Sequence, residues 1–145
     1  FYTNVGGMFL TVKHALDMMR PRKNASIINF SSIAGHVASK DYPAYVTSKA
    51  AVESFTIGLS KELAKYGIRV NAVAPGWVNA GFTDEARLQS DNPDELEEAA
   101  RKAHLLGRMA EPDEIASVVS WLISSKSGFV TGQTLFVDGG LMRVH

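Results

Sequence analysis

Three short β-branched segments alternate with longer stretches of helical periodicity, and this alternation constrains the fold more than any other feature. Ser26 to Phe30 (S-I-I-N-F), Ile68 to Ala74 (I-R-V-N-A-V-A) and Thr134 to Val137 have the length and composition of buried strands. Ahead of the first, Val5, Phe9, Val12, Leu16 and Met19 repeat at spacings of three and four, as one face of a helix does. Pro43 to Tyr66 carries a longer helical pattern with Val52, Phe55, Leu59 and Leu63 on one face, and Gly67 follows where a C-terminal cap belongs. Pro93, with Asp94 and Glu95 behind it, opens a short helix. A last helix follows Glu111-Pro112, with Ile115, Val118, Val119, Leu122 and Ile123 on its apolar side. Strands separated by helices predict an α/β fold: a doubly wound parallel sheet with right-handed crossovers. Three strands make a small parallel sheet to be covered on both faces. The first helical pattern is also already under way at Phe1. Residues 1–145 are therefore expected to form a single partial domain, with further strands upstream.

The remaining stretches read as connections. Arg20-Pro21-Arg22-Lys23-Asn24 is a basic helix end and turn. Ser31 to Asp41 is rich in Ser, Gly and Ala and reads as a loop, and Trp77 to Asn92 reads as irregular. The acidic run Asp94 to Glu98 reads as a helix start rather than a binding patch. There is no internal repeat and no low-complexity segment.

In an open parallel sheet, ligands bind beyond the carboxyl ends of the strands. Ser31-Ser32, Pro75-Gly76 and Asp138 fall there, and the helix starting near Pro43 begins at the same edge. Tyr45 and Lys49 are four residues apart and share a helix face, which stacks an ammonium beside a phenol. A phenol ordinarily titrates near pH ~10, and a neighbouring cation favours the phenolate. Such a tyrosine can act as general acid or base toward a hydroxyl or carbonyl. Ser32, at a strand end, can hold a substrate oxygen against Tyr45, and Asn4 can anchor a water that relays protons to Lys49. The pair alone is weak: four tyrosines and eight lysines in 145 residues give about 0.2 such spacings by chance. Taken singly, Ser32 is more often a turn or capping residue and Asn4 more often an ordinary polar helix residue.

Composition removes other classes. Lys+Arg and Asp+Glu are both 15, so no basic excess suggests nucleic-acid binding. Cysteine is absent, and His14, His36, His104 and His145 show no metal-ligand spacing, so no metal site is expected. His36 reads as an exposed loop residue. The longest nearly apolar stretch, Ile115 to Ile123, is too short to cross a bilayer. A cytoplasmic location is the expectation.

With these motifs in order, the sequence resembles the short-chain dehydrogenase/reductase family. The matching features are Asn4 in N-V-G-G, I-I-N-F-S-S-I-A-G (Ile27 to Gly35), Y-V-T-S-K-A-A (Tyr45 to Ala51), R-V-N-A-V-A-P-G (Arg69 to Gly76) and F-V-D-G-G (Phe136 to Gly140). The resemblance covers essentially the whole chain, and the separations among Asn4, Ser32, Tyr45 and Lys49 match the family's tetrad. It implies the C-terminal half of a Rossmann-type domain, with the N-terminal dinucleotide-binding βαβ units missing, and NAD or NADP as cofactor. Tyr45 would be the acid/base, Lys49 would also hold the nicotinamide ribose, Ser32 would orient the substrate and Asn4 would sustain the proton relay. Pro75, Gly76 and Val78 would lie along the nicotinamide, and the segment 77–106, carrying Trp77 and Phe82, would be the substrate lid. Ala80 stands where the family commonly has threonine, which removes one cofactor contact unless Thr83 supplies it.

The expected activity is interconversion of a small secondary alcohol and a ketone. A 3-oxoacyl carrier-protein reductase is the alternative within the class. Its acidic partner would meet basic residues near Lys23 and Tyr66, of which only Lys23 is basic. The alternative of another class is an inactive fragment or assembly module. The resemblance implies pairing of the Asn4 and Tyr45 helices with their copies in a homodimer or homotetramer, with Ala50, Ala51 and Gly58 allowing close approach.

Overall fold

The computed structural model describes residues 1–37 and 42–143, with Phe82 described by its backbone alone. The chain begins with a π-helical turn, Tyr2–Gly6, that runs into α1 (Gly7–Met19). Strand β1 (Ser26–Phe30) leads to a 3-10 turn, Ile33–Gly35, and then to α2 (Pro43–Leu63). The expected loop over Ser31 to Asp41 thus contains a short helical turn, while residues 38–41 lie outside the described residues. The expected helix end at Tyr66 is a 3-10 turn, Ala64–Tyr66, closed by Gly67 at φ 70°. That left-handed conformation is one that glycine adopts without a Cβ clash.

Strand β2 (Arg69–Pro75) is followed by α3 (Phe82–Gln89) and α4 (Pro93–Ala103). The helix α3 corrects the expectation of an irregular stretch from Trp77 to Asn92. Its sequence is mostly polar, so no apolar stripe announces it. Instead Arg87 bonds Asp84 at 2.9 Å and the Asn79 side chain at 2.9 Å, and pairs with Glu97 of α4 at 3.5 Å. Helix α5 (Pro112–Ile123) and β3 (Thr134–Val137) complete the order.

The sheet has the order β1-β2-β3, and both pairings are parallel, with Ser26 beside Arg69 and Ala72 beside Thr134. Side chains alternate across a strand, so the partners of β2 identify its two faces. Val70 joins Ile68, Val12 of α1, and Leu59 and Leu63 of α2 in the main apolar core. Arg69 and Asn71 point the other way: Arg69 reaches the carbonyls of Ile123 and Ser124 at the end of α5, and Asn71 donates to Val130 O at 2.9 Å. Helices therefore cover both faces, the doubly wound arrangement expected from the alternation. Ile115 and Leu122 of α5 are buried, whereas Ile123, expected on the apolar side, is 55% exposed.

Two polar devices fix the helices. Asn29 of β1 donates to Thr56 Oγ1 at 2.8 Å inside the core, so α2 is held to β1 by a buried bond as well as by packing. At the start of α5, Glu114 receives Arg108 in a two-pronged pair at 2.7 and 2.8 Å and accepts from the Glu111 backbone N–H at 2.9 Å. The hydrogen bond from Arg108, with that from Glu111, holds the Glu114 carboxyl down at about 2. A carboxylate depressed in the folded state adds stability above its unfolded value, and this is lost as pH falls through the folded one. Thermal melts of Glu114→Gln should therefore run below wild type near neutrality and converge with it as pH falls from about 4.5 to about 2. Parallel curves across that range would remove Glu114 from the acid response.

Candidate active site

The carboxyl ends of β1 and β2 open on a cavity of about 380 Å³. Ser32, Tyr45, Pro75, Gly76 and Val78 all line it, so five of the seven residues singled out in the sequence share one space. Each arrives by a different route. Ser32 ends β1 and caps the following turn, its Oγ accepting from Ala34 N–H at 3.1 Å. Tyr45 lies in the first turn of α2, which Pro43 starts without sacrificing a helical hydrogen bond. Gly76 leaves β2 with its N–H on Val137 O at 3.1 Å, and Val78 is held by a parallel bridge to Ala110. Ala80 and Thr83 line the same cavity.

Lys49 stands behind Tyr45 rather than in the cavity wall. Its Nζ lies 5.6 Å from the centre of the tyrosine ring and donates to Phe30 O at 3.0 Å. That bond ties the ammonium to the last residue of β1, one step before the serine turn. Burial lowers the Lys49 pKa from the ordinary lysine value, because the ammonium is partly removed from water.

Asn4, expected to anchor a relay toward Lys49, contacts α2 through Ser48. Its amide nitrogen donates to Ser48 Oγ at 2.9 Å, and the Ser48 hydroxyl donates to Tyr45 O at 2.7 Å. Asn4 therefore braces the α2 turn that carries Tyr45. It sits in the π-helical turn Tyr2–Gly6, a distortion often found at functional sites.

Two residues escaped the sequence reading. Glu53 lies beneath the serine turn, with Oε1 2.7 Å from Ser31 Oγ and Oε2 2.7 Å from His36 Nε2. It continues the stripe Tyr45, Lys49, Glu53 at steps of four, so following that helix face one turn further would have found it. Gly35 lets the turn lie against α2, since a Cβ there would stand 3.1 Å from Ala50 N. His36 itself is exposed, as expected of a loop histidine, but is paired. The second is His104, buried against the Gly76 turn, with Trp77 N–H donating to its Nε2 at 3.2 Å.

A phenol, a cation behind it and a strand-end serine, gathered at the carboxyl edge of a parallel sheet, make a site suited to proton transfer at a hydroxyl or carbonyl. Comparison with known proteins agrees with that class. The family model described as enoyl-(acyl carrier protein) reductase matches residues 1–142. An "Inactive 2-(S)-hydroxypropyl-CoM dehydrogenase 2" from Xanthobacter autotrophicus is 39% identical over 141 residues, 97% of this chain and 61% of that protein. The 3-oxoacyl-[acyl-carrier-protein] reductase FabG of Thermotoga maritima is 37% identical over 139 residues, 96% of this chain and 54% of the relative. Among solved structures, Thermoplasma acidophilum aldohexose dehydrogenase superposes with a TM-score of 0.90 at 32% identity, covering 97% of this chain and 56% of its own. The chain belongs to the short-chain dehydrogenase/reductase family, and the relatives matched here carry dehydrogenase or reductase names, one of them marked inactive. It spans a little over half the length of these relatives.

Proposed function

We propose that the protein is an NAD- or NADP-dependent oxidoreductase that interconverts a small secondary alcohol and a ketone, with Tyr45 as acid/base. Likeness alone does not carry this reading, since one of the relatives is named as inactive. The observation that carries it is Ser32 and Tyr45 sharing a cavity floored by Pro75, Gly76 and Val78, with Lys49 behind the phenol.

The residues present fit the nicotinamide end of such a cofactor. The turn from Pro75 to Val78 offers an apolar edge with backbone polar groups, and Thr83 and Lys49 add a hydroxyl and an ammonium. The nicotinamide supplies the hydride chemistry when bound. Tyr45 would take the hydroxyl proton in alcohol oxidation and return it to the carbonyl oxygen in reduction. Lys49 stabilises negative charge on the phenol oxygen during that exchange. Ser32 Oγ already accepts from Ala34 N–H, which leaves its own O–H to donate to the substrate oxygen. Asn4 and Glu53 act through others: one braces the Tyr45 turn, the other the serine turn.

The test is turnover of a panel of secondary alcohols and ketones by the full-length protein with each nicotinamide cofactor, read by absorbance. No turnover and no cofactor binding by calorimetry would leave the inactive-module reading. Ser32→Ala should lower kcat by about 10²-fold through loss of one preorganised donor. A kcat within threefold of wild type would move substrate orientation elsewhere.

One observation supports the carrier-protein reading as a second. Tyr66 is not basic, but Arg20 and Lys65 both stack on its ring, at 5.0 and 5.1 Å from the centroid. Arg22 and Lys23 are exposed in the turn that follows, and Arg20 also pairs with Asp17 at 3.2 Å, so an acidic protein would compete with that pair. If these cations dock a carrier protein, Arg20→Glu with Lys65→Glu should raise KM for the carrier-linked 3-oxoacyl substrate about tenfold or more and spare a free thioester. Equal KM changes for both substrates would count against it. A homodimer or homotetramer is proposed on separate grounds: Phe9 and Leu10 of α1 and Ile57 of α2 are exposed apolar side chains, and sedimentation would test it.

A further inference from the structure

His104 follows the last residue of α4 and is only 5% exposed. Its imidazole makes two hydrogen bonds, and their chemistry sets the tautomer. A backbone N–H can only donate, so Trp77 N–H at 3.2 Å requires a lone pair on Nε2. The ring proton then sits on Nδ1, which donates to Ala100 O at 2.6 Å, the carbonyl one turn earlier in α4. The ring thus joins the end of α4 to the residue after Gly76.

The surroundings are cut to admit this ring. A Cβ on Gly76 would stand 2.6 Å from His104 Nε2, and one on Gly139 would stand 3.3 Å from Cδ2. The next residue, Leu105, exploits Gly140 in the same way, at 2.6 Å. His104 therefore wedges between the turns that follow β2 and β3. Around it the excursion closes on itself: Ala110 N–H donates to Trp77 O at 2.9 Å, and Asn79 N–H to Ala110 O at 2.8 Å. Trp77 and Val78, the two residues held on these sides, both face the cavity.

We propose that His104 is a positioning residue: its unprotonated Nε2 holds the Trp77 backbone, and through it the Gly76–Val78 wall, at the distance the bound nicotinamide and substrate require. The catalytic consequence rests on the function proposed above; the latch itself does not. Because His104 touches no reacting atom, its loss should act on binding more than on the chemical step.

The test uses two isosteres in the full-length protein. His104→Gln places an acceptor oxygen near the position of Nε2; His104→Asn keeps only a donor near Nδ1. Asn should raise KM for the cofactor about tenfold with kcat within about threefold, and Gln should restore KM to within about twofold of wild type. Amide exchange at Trp77 should quicken about tenfold or more in Asn and not in Gln, a readout that needs no turnover. Absence of dehydrogenase activity would thus sink the proposed function and leave this inference standing on exchange. Equal behaviour of Asn and Gln, or unchanged Trp77 exchange in Asn, would overturn it. Should the Asn variant fail to fold, nitrogen NMR of wild-type His104 decides: a proton on Nε2 overturns the proposal, and a bare Nε2 supports it.

Discussion

Replacing Tyr45 with phenylalanine in the full-length protein is expected to lower kcat by about 10²- to 10⁴-fold, the range supplied by a positioned general acid or base. The substitution removes one oxygen and keeps the ring that the Lys49 ammonium approaches at 5.6 Å. The brace from Asn4 through Ser48 ends on the Tyr45 backbone carbonyl and also survives. KM for the cofactor should consequently move by less than about threefold while kcat falls, which separates lost chemistry from lost binding. Activity retained within tenfold would show that the proton travels by another group, and the assignment of Tyr45 would be wrong. A companion change, Lys49→Met, tests the same step from behind. It should depress kcat too, but with a rise in cofactor KM if the ammonium also holds the ribose.

The elements that could be read from the sequence are those built on apolar periodicity. Ser26–Phe30 and Thr134–Val137 are strands over the expected residues, and β2 is displaced by one residue, Arg69–Pro75 against Ile68 to Ala74. A shift of that size lies within the usual scatter of element ends. Helix α3 was illegible because side-chain pairs made by Arg87, rather than an apolar face, hold it. The site divides the same way. Ser32, Tyr45, Pro75 and Gly76 could be placed because strand ends and a helix start dictate one edge of a parallel sheet, whereas Val78 came only through the family resemblance. Asn4's partner could not, since Ser48 is 44 positions away and no local spacing encodes that bond. His104 was passed over for a related reason. A search for metal spacing asks about other histidines, whereas this one is explained by a backbone N–H 27 residues earlier.

Arg69→Met should destabilise the fold by about 3 kcal/mol, the scale of breaking a buried, hydrogen-bonded charge site. Arg69 is 8% exposed, and its guanidinium has no carboxylate partner among the described residues. It meets Ser127 Oγ at 3.0 Å and the carbonyls of Ser124, Ile123 and Val130 at 3.2, 3.4 and 3.4 Å. Two of those carbonyls end α5, where unpaired C=O groups carry the negative pole of the helix. One cation on β2 thus satisfies the end of α5 and the segment leading to β3. The acceptors would not all suffer equally when it goes. Val130 O keeps Asn71 Nδ2 at 2.9 Å, and Ser124 O keeps the Ser127 hydroxyl at 3.0 Å, so the Ile123 carbonyl is the group most exposed to loss. Methionine matches the aliphatic stem, so the loss reads out the polar head rather than a cavity. A domain of this size should melt about 6–12 °C lower. Arg69→Lys keeps the charge but not the planar fork and should recover only part of the deficit. If Lys restored full stability, charge alone would suffice and the four-way geometry would be incidental. If Met fell within about 0.5 kcal/mol of wild type, the ordinary range of surface changes, Arg69 would not be what fastens α5 to the sheet.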